Sequence, residues 1–244
     1  LTVRAYRLLA AASVVAHDEL VSPEILAIAP SGAERIAVGR RASGCRHHEA
    51  RIHPTVIERA RQGKDVVRLK GGDPFVFARG GEEAEELAAA GVPFEVVPGI
   101  SAALGAAASA RIPLTHRECA SSVTFATAHA THGVPDLAAN VTSQGTLVFY
   151  MGLGRIDVTC AALIAGGRLP STPAAVLSRA TLPGEVLLVG TLADIAARAN
   201  DARVEAPALL MVGEVVARRV PSLREWSNRP EARGAASPLP SAAE

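Results

Sequence analysis

Residues 66 to 87, VVRLKGGDPFVFARGGEEAEEL, set a carboxylate directly behind two glycines at the end of an apolar run, and the chain then resumes as an acidic helical segment. Gly71 and Gly72 tolerate positive φ and close approach of another molecule to the backbone, Asp73 can cap the turn, and Pro74 is preset for a first helical turn. The arrangement reads equally well as a closed, capped turn or as a place where a ligand meets the carboxyl end of a strand. Other stretches exclude more than they assert. YMGLGRID puts Gly152 and Gly154 after a strand, but Asp157 occupies the third glycine position of a dinucleotide fingerprint, which argues against NAD. PGISAALG puts Ser101 on a strand-to-helix turn, but Ala103 stands where a nucleophile elbow has glycine, so hydrolase chemistry gains little. His47, His48 and His53 lack the HExxH order of a zinc protease and read as a loop and a helix start. Cys45, Cys119 and Cys160 form no CxxC pair, which fits neither a zinc site nor a disulfide framework and points to a reducing compartment.

The elements that would carry these residues alternate. Strands are expected at SVVAHD, RIAVG, DVVRLK, FEVVPG, SVTFATA, TLVFYMG, AAVLSRA, EVLLVGT and ALLMVGEVV, and helices near residues 2–12, 49–62, 81–90, 101–110, 155–166 and 191–199. The pattern is α/β, with two domains at residues 1–115 and 116–227 divided by the aperiodic, proline-bearing RIPLTHREC. The segment 228–244 has too few apolar residues to repay ordering. The first helix should lay Val3, Leu8 and Leu9 on a sheet. At 244 residues and 49% hydrophobic, the chain has ample material for a core. A net charge of +1 gives no general argument for nucleic acid. Lys64 and Lys70 are the only lysines, and arginine, which supplies every other cation, suits bidentate carboxylate or phosphate contacts. No apolar run approaches the length of a membrane span and the amino terminus does not read as a signal peptide, so a cytoplasmic location is expected.

Taken in order, VVRLKGGDPFVFARGGEE, VPFEVVPGISAALGAAASARIPLTHR, SSVTFATAH, TLVFYMGL, GTLADIAA and APALLMVGEVV closely resemble the uroporphyrinogen-III C-methyltransferases of the tetrapyrrole methylase family. The resemblance runs from residue 1 to about 227. It implies two α/β domains with the active site in the cleft between them, a homodimer, and transfer of the S-adenosylmethionine methyl group to carbons 2 and 7 of uroporphyrinogen III without a metal, giving precorrin-2. A second reading is a degenerate relative that binds tetrapyrrole or cofactor without turnover.

By the same resemblance, Gly71, Gly72, Asp73, Val76, Ser101, Ala102, Met151 and Ala180 fall at cofactor positions, with Asp73 accepting hydrogen bonds from the cofactor. Asp18, in AHDELVS, matches the carboxylate proposed in the family as proton acceptor. Arg40 replaces a lysine proposed as proton donor in some members. An arginine is a poor proton donor at neutral pH, so Arg40 reads instead as a carboxylate anchor, joined at the substrate by Arg41 and Arg117. HEARIH stands where relatives read PQEEIN. Relatives also open with a strand and a GxGPGD turn, and Leu1 falls just beyond that point, so an incomplete amino terminus is expected.

Overall fold

The computed structural model describes residues 1–38, 52–128 and 145–221. The chain divides into two compact units, Leu1–Ala102 and Ala103–Glu244. Sequence spacing places the division near residue 115. It falls earlier because the helix at 102–110 buries Ala103, Ala106, Ala107 and Ala110, and its first turn is tied to Tyr150, whose hydroxyl accepts the Ala103 N–H at 3.0 Å.

The first unit holds a parallel sheet in the order β2-β1-β3, from β1 (Val14–His17), β2 (Glu34–Ala37) and β3 (Val66–Leu69). Its helices are α1 (Val3–Ala11), the short α2 (Pro23–Leu26), α3 (Pro54–Arg61) and α4 (Gly80–Ala89). Alternation along the strands sends Val15 and Leu69 to one face, where they pack with Leu9, Ala12 and Ala29, and Ala16 to the other, with Ile52 and Val56. Thr2 caps α1 by accepting the Ala5 N–H at 3.2 Å. Of the apolar face expected on this helix only Leu9 is buried, while Val3 is 68% and Leu8 36% exposed. Val3 and Leu9 are six positions apart, which a helix of 3.6 residues per turn places on different sides. His53 begins α3 as its cap, accepting the Thr55 N–H.

FEVVPG does not form a strand. Residues 92–100 carry no regular structure, and Phe94 and Val96 are exposed. Proline on either side, at positions 93 and 98, withholds ladder donors, and among the described residues no neighbouring strand pairs with this run.

The second unit holds a mixed sheet in the order β4-β5-β8-β6-β7. Its strands are β4 (Val123–Thr127), β5 (Thr146–Tyr150), β6 (Pro173–Ser178), β7 (Val186–Thr191) and β8 (Ala208–Val212). Helix α5 (Ala102–Ala110) leads into this unit, and α6 (Ile156–Ala165) and α7 (Ile195–Asp201) lie within it. All of β5 is buried, consistent with its unbroken apolar reading TLVFY. Leu147, Phe149, Leu163, Val176, Ile195 and Leu210 join in one core cluster. Full burial of each large side chain there contributes about 1.5 to 3 kcal/mol. ALLMVGEVV splits: β8 ends at Val212, Gly213 takes φ 143°, and Glu214–Arg218 coil into a 3-10 turn.

Candidate active site

Each unit presents the carboxyl ends of its strands with unusual backbone. In the first, β3 leaves the sheet at Lys70 and enters the glycine pair. Gly72 has φ +84°, and a methyl group there would stand 3.5 Å from the Ala102 nitrogen. Gly99 is tighter still: a Cβ would lie 2.1 Å from the Gly72 carbonyl oxygen and 3.2 Å from the Asp73 Cα. The turn after β3 and the segment before α5 therefore touch through bare backbone.

Asp73 fastens that contact. Its Oδ1 accepts the Phe75 N–H and its Oδ2 accepts the Gly99 N–H, both at 2.9 Å. The carboxylate thus closes its own turn and pins the neighbouring segment, a use that the capped-turn reading half anticipated. Val76 is half-buried within the same loop and donates its N–H to the Asp73 carbonyl at 3.3 Å. Ser101 is buried at 4% exposure and Ala102 is exposed beside it. The sequence-predicted cofactor residues of the first unit are thereby brought together.

Asp18 stands at the same end of the sheet, because its N–H donates to the Leu69 carbonyl at 3.1 Å. Parallel register pairs Ala16 with Arg68, so Asp18 and the Arg68 side chain project to one face. The Arg68 guanidinium donates to Asp18 Oδ1 at 2.5 Å and to Glu83 Oε1 at 3.0 Å. Lys70, two residues along the strand, donates to Glu83 Oε2 at 2.9 Å. Glu83 reaches these cations because Leu87, one helical turn later on α4, packs against the Ala16 cluster and turns that helix face inward. Sequence reasoning passed over Arg68, Lys70 and Glu83. The available signal was RLK itself, two cations two apart on a strand, followed by an acidic helix start.

In the second unit, Met151 follows β5 and Ala180 follows β6 by two residues. The register Tyr150↔Leu209↔Leu177 puts both exits at the same end of the sheet, separated by β8, roughly 10 Å apart at ordinary strand spacing. Met151 adopts φ 54° and is 51% exposed, and Arg179 and Thr181 flank Ala180 at φ 51° and 67°. Side-chain-bearing residues seldom hold such angles, and they gather where a site over-determines the backbone. Arg117 is exposed on a tight turn closed by paired backbone hydrogen bonds between His116 and Ala120, both at 2.9 Å. Arg40 and Arg41 lie outside the described residues, as do Cys45, His47, His48 and the segment 228–244. Cys160 is core: burial, with Asp157 adding to it, pushes its thiol up to about 11. Among the described residues no three His, Cys, Asp or Glu side chains gather as a metal would require. No described helix is long and apolar enough to cross a membrane.

The first unit thus carries a glycine turn after a parallel strand, locked to a second glycine segment, and the second α/β unit carries strand exits at positive φ. Residues 1–196 match the family model of the Tetrapyrrole (Corrin/Porphyrin) Methylases, and the chain belongs to that family. It is 50% identical over 221 residues to the siroheme synthase of Pseudomonas fluorescens strain SBW25, covering 90% of this chain and 48% of that protein. The siroheme synthase of Hahella chejuensis is 48% identical, with 90% and 47% covered. The chain thus spans about half the length of the curated relatives it matches. The crystal structure of uroporphyrin-III C-methyl transferase from Thermus thermophilus, complexed with S-adenyl homocysteine, superposes with a TM-score of 0.76 at 38% identity, covering 91% of this chain and 90% of that one.

Proposed function

We propose that the chain methylates uroporphyrinogen III at carbons 2 and 7 with S-adenosylmethionine, giving precorrin-2 for siroheme or cobalamin synthesis. The observation that carries the reading is the bare-backbone contact of Gly72 with Gly99 and Ala102, in a chain aligned over nearly its whole length with a methyltransferase crystallised with the demethylated cofactor. The residues fit that group. Small or absent side chains at Gly71, Gly72 and Ala102 leave main-chain N–H and C=O groups approachable, and buried Ser101 adds a hydroxyl. Val76 adds an apolar side chain in the same turn, and Met151 and Ala180 are proposed as further cofactor positions on the family resemblance alone. Asp73 holds the two segments together, and each of its oxygens, having accepted one N–H, keeps a lone pair for the cofactor's donors.

When bound, S-adenosylmethionine supplies a methyl group already activated by its sulfonium. The protein's share of the work is therefore mainly placement, which can supply several kcal/mol of barrier reduction, about 7 or more in favourable cases. As a pyrrole carbon gains its methyl, the ring becomes cationic and must release a proton. Asp18 takes that proton, since one of its oxygens is held by Arg68 and, among the described residues, the other receives no hydrogen bond. Arg40, Arg41 and Arg117 suit the substrate's carboxylates, which a guanidinium meets with two parallel hydrogen bonds. The protein is further proposed to work as a homodimer in the cytoplasm.

The test is to incubate the purified chain with both reactants under anaerobic conditions and follow the product by mass spectrometry. Two added methyl groups are expected. Calorimetric binding of S-adenosylhomocysteine with no methylated product would instead establish a non-catalytic binding relative.

A further inference from the structure

Four charged side chains form a chain through the first unit: Asp18 to Arg68, Arg68 to Glu83, Glu83 to Lys70. Three of them are largely withdrawn from water, with side-chain exposures of 15% for Arg68, 14% for Glu83 and 6% for Lys70. Asp18, at 30%, is the open end. Stability gives a poor account of such a series. Taking charges out of water costs several kcal/mol per ion, and a buried ion pair is often no better for folding than apolar residues of the same volume.

The hydrogen bonds point to a different account. Nearly every donor of the Arg68 guanidinium is committed: Nε to Glu83 Oε1 at 3.2 Å, one terminal nitrogen to the Leu69 carbonyl at 3.1 Å, and the other to both Asp18 and Glu83. Glu83 is equally fixed, with Oε1 on Arg68 and Oε2 on Lys70. Neither side chain can turn without breaking several charge-assisted bonds. The only member with a free oxygen among the described residues is Asp18, and two ties hold it, Arg68 at the side chain and Leu69 at its N–H. The charges also balance. Lys70 neutralises Glu83, so the positive charge of Arg68 is not consumed there and remains for Asp18.

We propose that Arg68, braced by Glu83 and Lys70, is a positioning residue that fixes the Asp18 carboxylate so that its second oxygen faces the proton it removes. This rests on the reading of Asp18 as proton acceptor. A proton acceptor displaced by about 1 Å can lose on the order of a hundredfold in rate, so the brace matters even though Arg68 itself touches no reacting atom.

A double-mutant cycle on the full chain tests it, reading kcat, KM, the melting temperature and the calorimetric affinity for S-adenosylhomocysteine. Arg68→Gln should lower kcat by roughly 10- to 100-fold, with KM and S-adenosylhomocysteine affinity held within about threefold. Arg68→Lys, which keeps the charge and loses the fork, should fall between Arg68→Gln and the unaltered protein. In an Asp18→Asn background, Arg68→Gln should cost less than about threefold more, because residues acting through one group are not additive. Multiplicative effects in the cycle, or full kcat in Arg68→Gln while Asp18→Asn is slow, overturn the positioning role. Should Arg68→Gln fail to fold, Arg68→Lys in the same cycle decides, and full activity there overturns it too. Full kcat in Asp18→Asn removes the proton-acceptor reading instead, and is distinguishable because it needs no Arg68 variant.

Discussion

Strand β3 runs out onto a glycine pair, whereas β5 and β6 run out onto residues that keep their side chains at positive φ: Met151, then Arg179 and Thr181. The first puts glycine at the exit itself and its left-handed residues, Phe77 at φ 52° and Arg79 at φ 62°, farther along the loop, and the glycine turn is held by external ties that Asp73 and Gly99 provide. The second holds three left-handed residues, each costing about 1 to 2 kcal/mol. The surrounding packing can sustain that, since Leu147, Phe149, Leu163 and Ile195 are fully buried in one cluster. The first unit's clusters rest on smaller residues, Ala12, Ala16 and Ala29 among them. Glycine leaves the backbone bare at the first exit, and a core of large side chains can hold a left-handed residue at the second.

The sharpest way to break this contrast is Gly99→Ala. Its methyl would meet a backbone carbonyl that cannot swing aside, so a loss of about 3 kcal/mol or more is expected, together with the affinity for S-adenosylhomocysteine. Gly154→Ala is the control in the second unit: a Cβ there meets nothing within 4 Å. If denaturant titration finds the two substitutions equally mild, the first unit's turns are not in close contact.

Alkaline pH probes the dense core. Burial raises the Cys160 thiol to about 11 from an ordinary value of 9.0. Between those two values the unfolded chain has released a proton that the folded chain retains, so unfolding gains as pH rises. The second unit should lose about 2 to 3 kcal/mol between pH 9 and 11. The loss should be smaller in Cys160→Ala measured against its own neutral-pH value. An unchanged alkaline slope would mean that the thiol is not held in an apolar setting.

Met151→Gly carries the smallest effect. Glycine relieves the left-handed backbone at φ 54°, and the exposed side chain gives up little burial. Yet glycine also loosens the unfolded chain. A net gain of up to about 1 kcal/mol is expected, with weaker binding of S-adenosylhomocysteine. A loss of stability would show that the core does not have to impose this exit.

Much of the architecture was legible because periodicity and burial agree. TLVFYMG and AAVLSRA read as strands and form them over Thr146–Tyr150 and Pro173–Ser178, and the helix expected near 81–90 forms at Gly80–Ala89. FEVVPG misled because β-branched and aromatic residues indicate a strand only where a neighbour pairs with it. The division of the chain was displaced because alanines say little about which side buries them, and the Ala103 tie to Tyr150 spans 47 positions. In the candidate site, the glycines, Asp73 and Asp18 carried motifs. Arg68, Lys70 and Glu83 carried none, since their partnership depends on strand register and on the rotation of α4, neither of which is local.

The Asp73 tie has a consequence for exchange between proteins. Residues 71–75 and 98–102 are far apart in the chain, yet each supplies what the other lacks: one the carboxylate and a carbonyl at Gly72, the other an N–H and an absent side chain at Gly99. Neither segment is transplantable alone. A recombinant junction placed between them would separate the halves of a single latch, so chimaeras of this fold should be cut before β3 or after Ala102, with both segments drawn from the same parent.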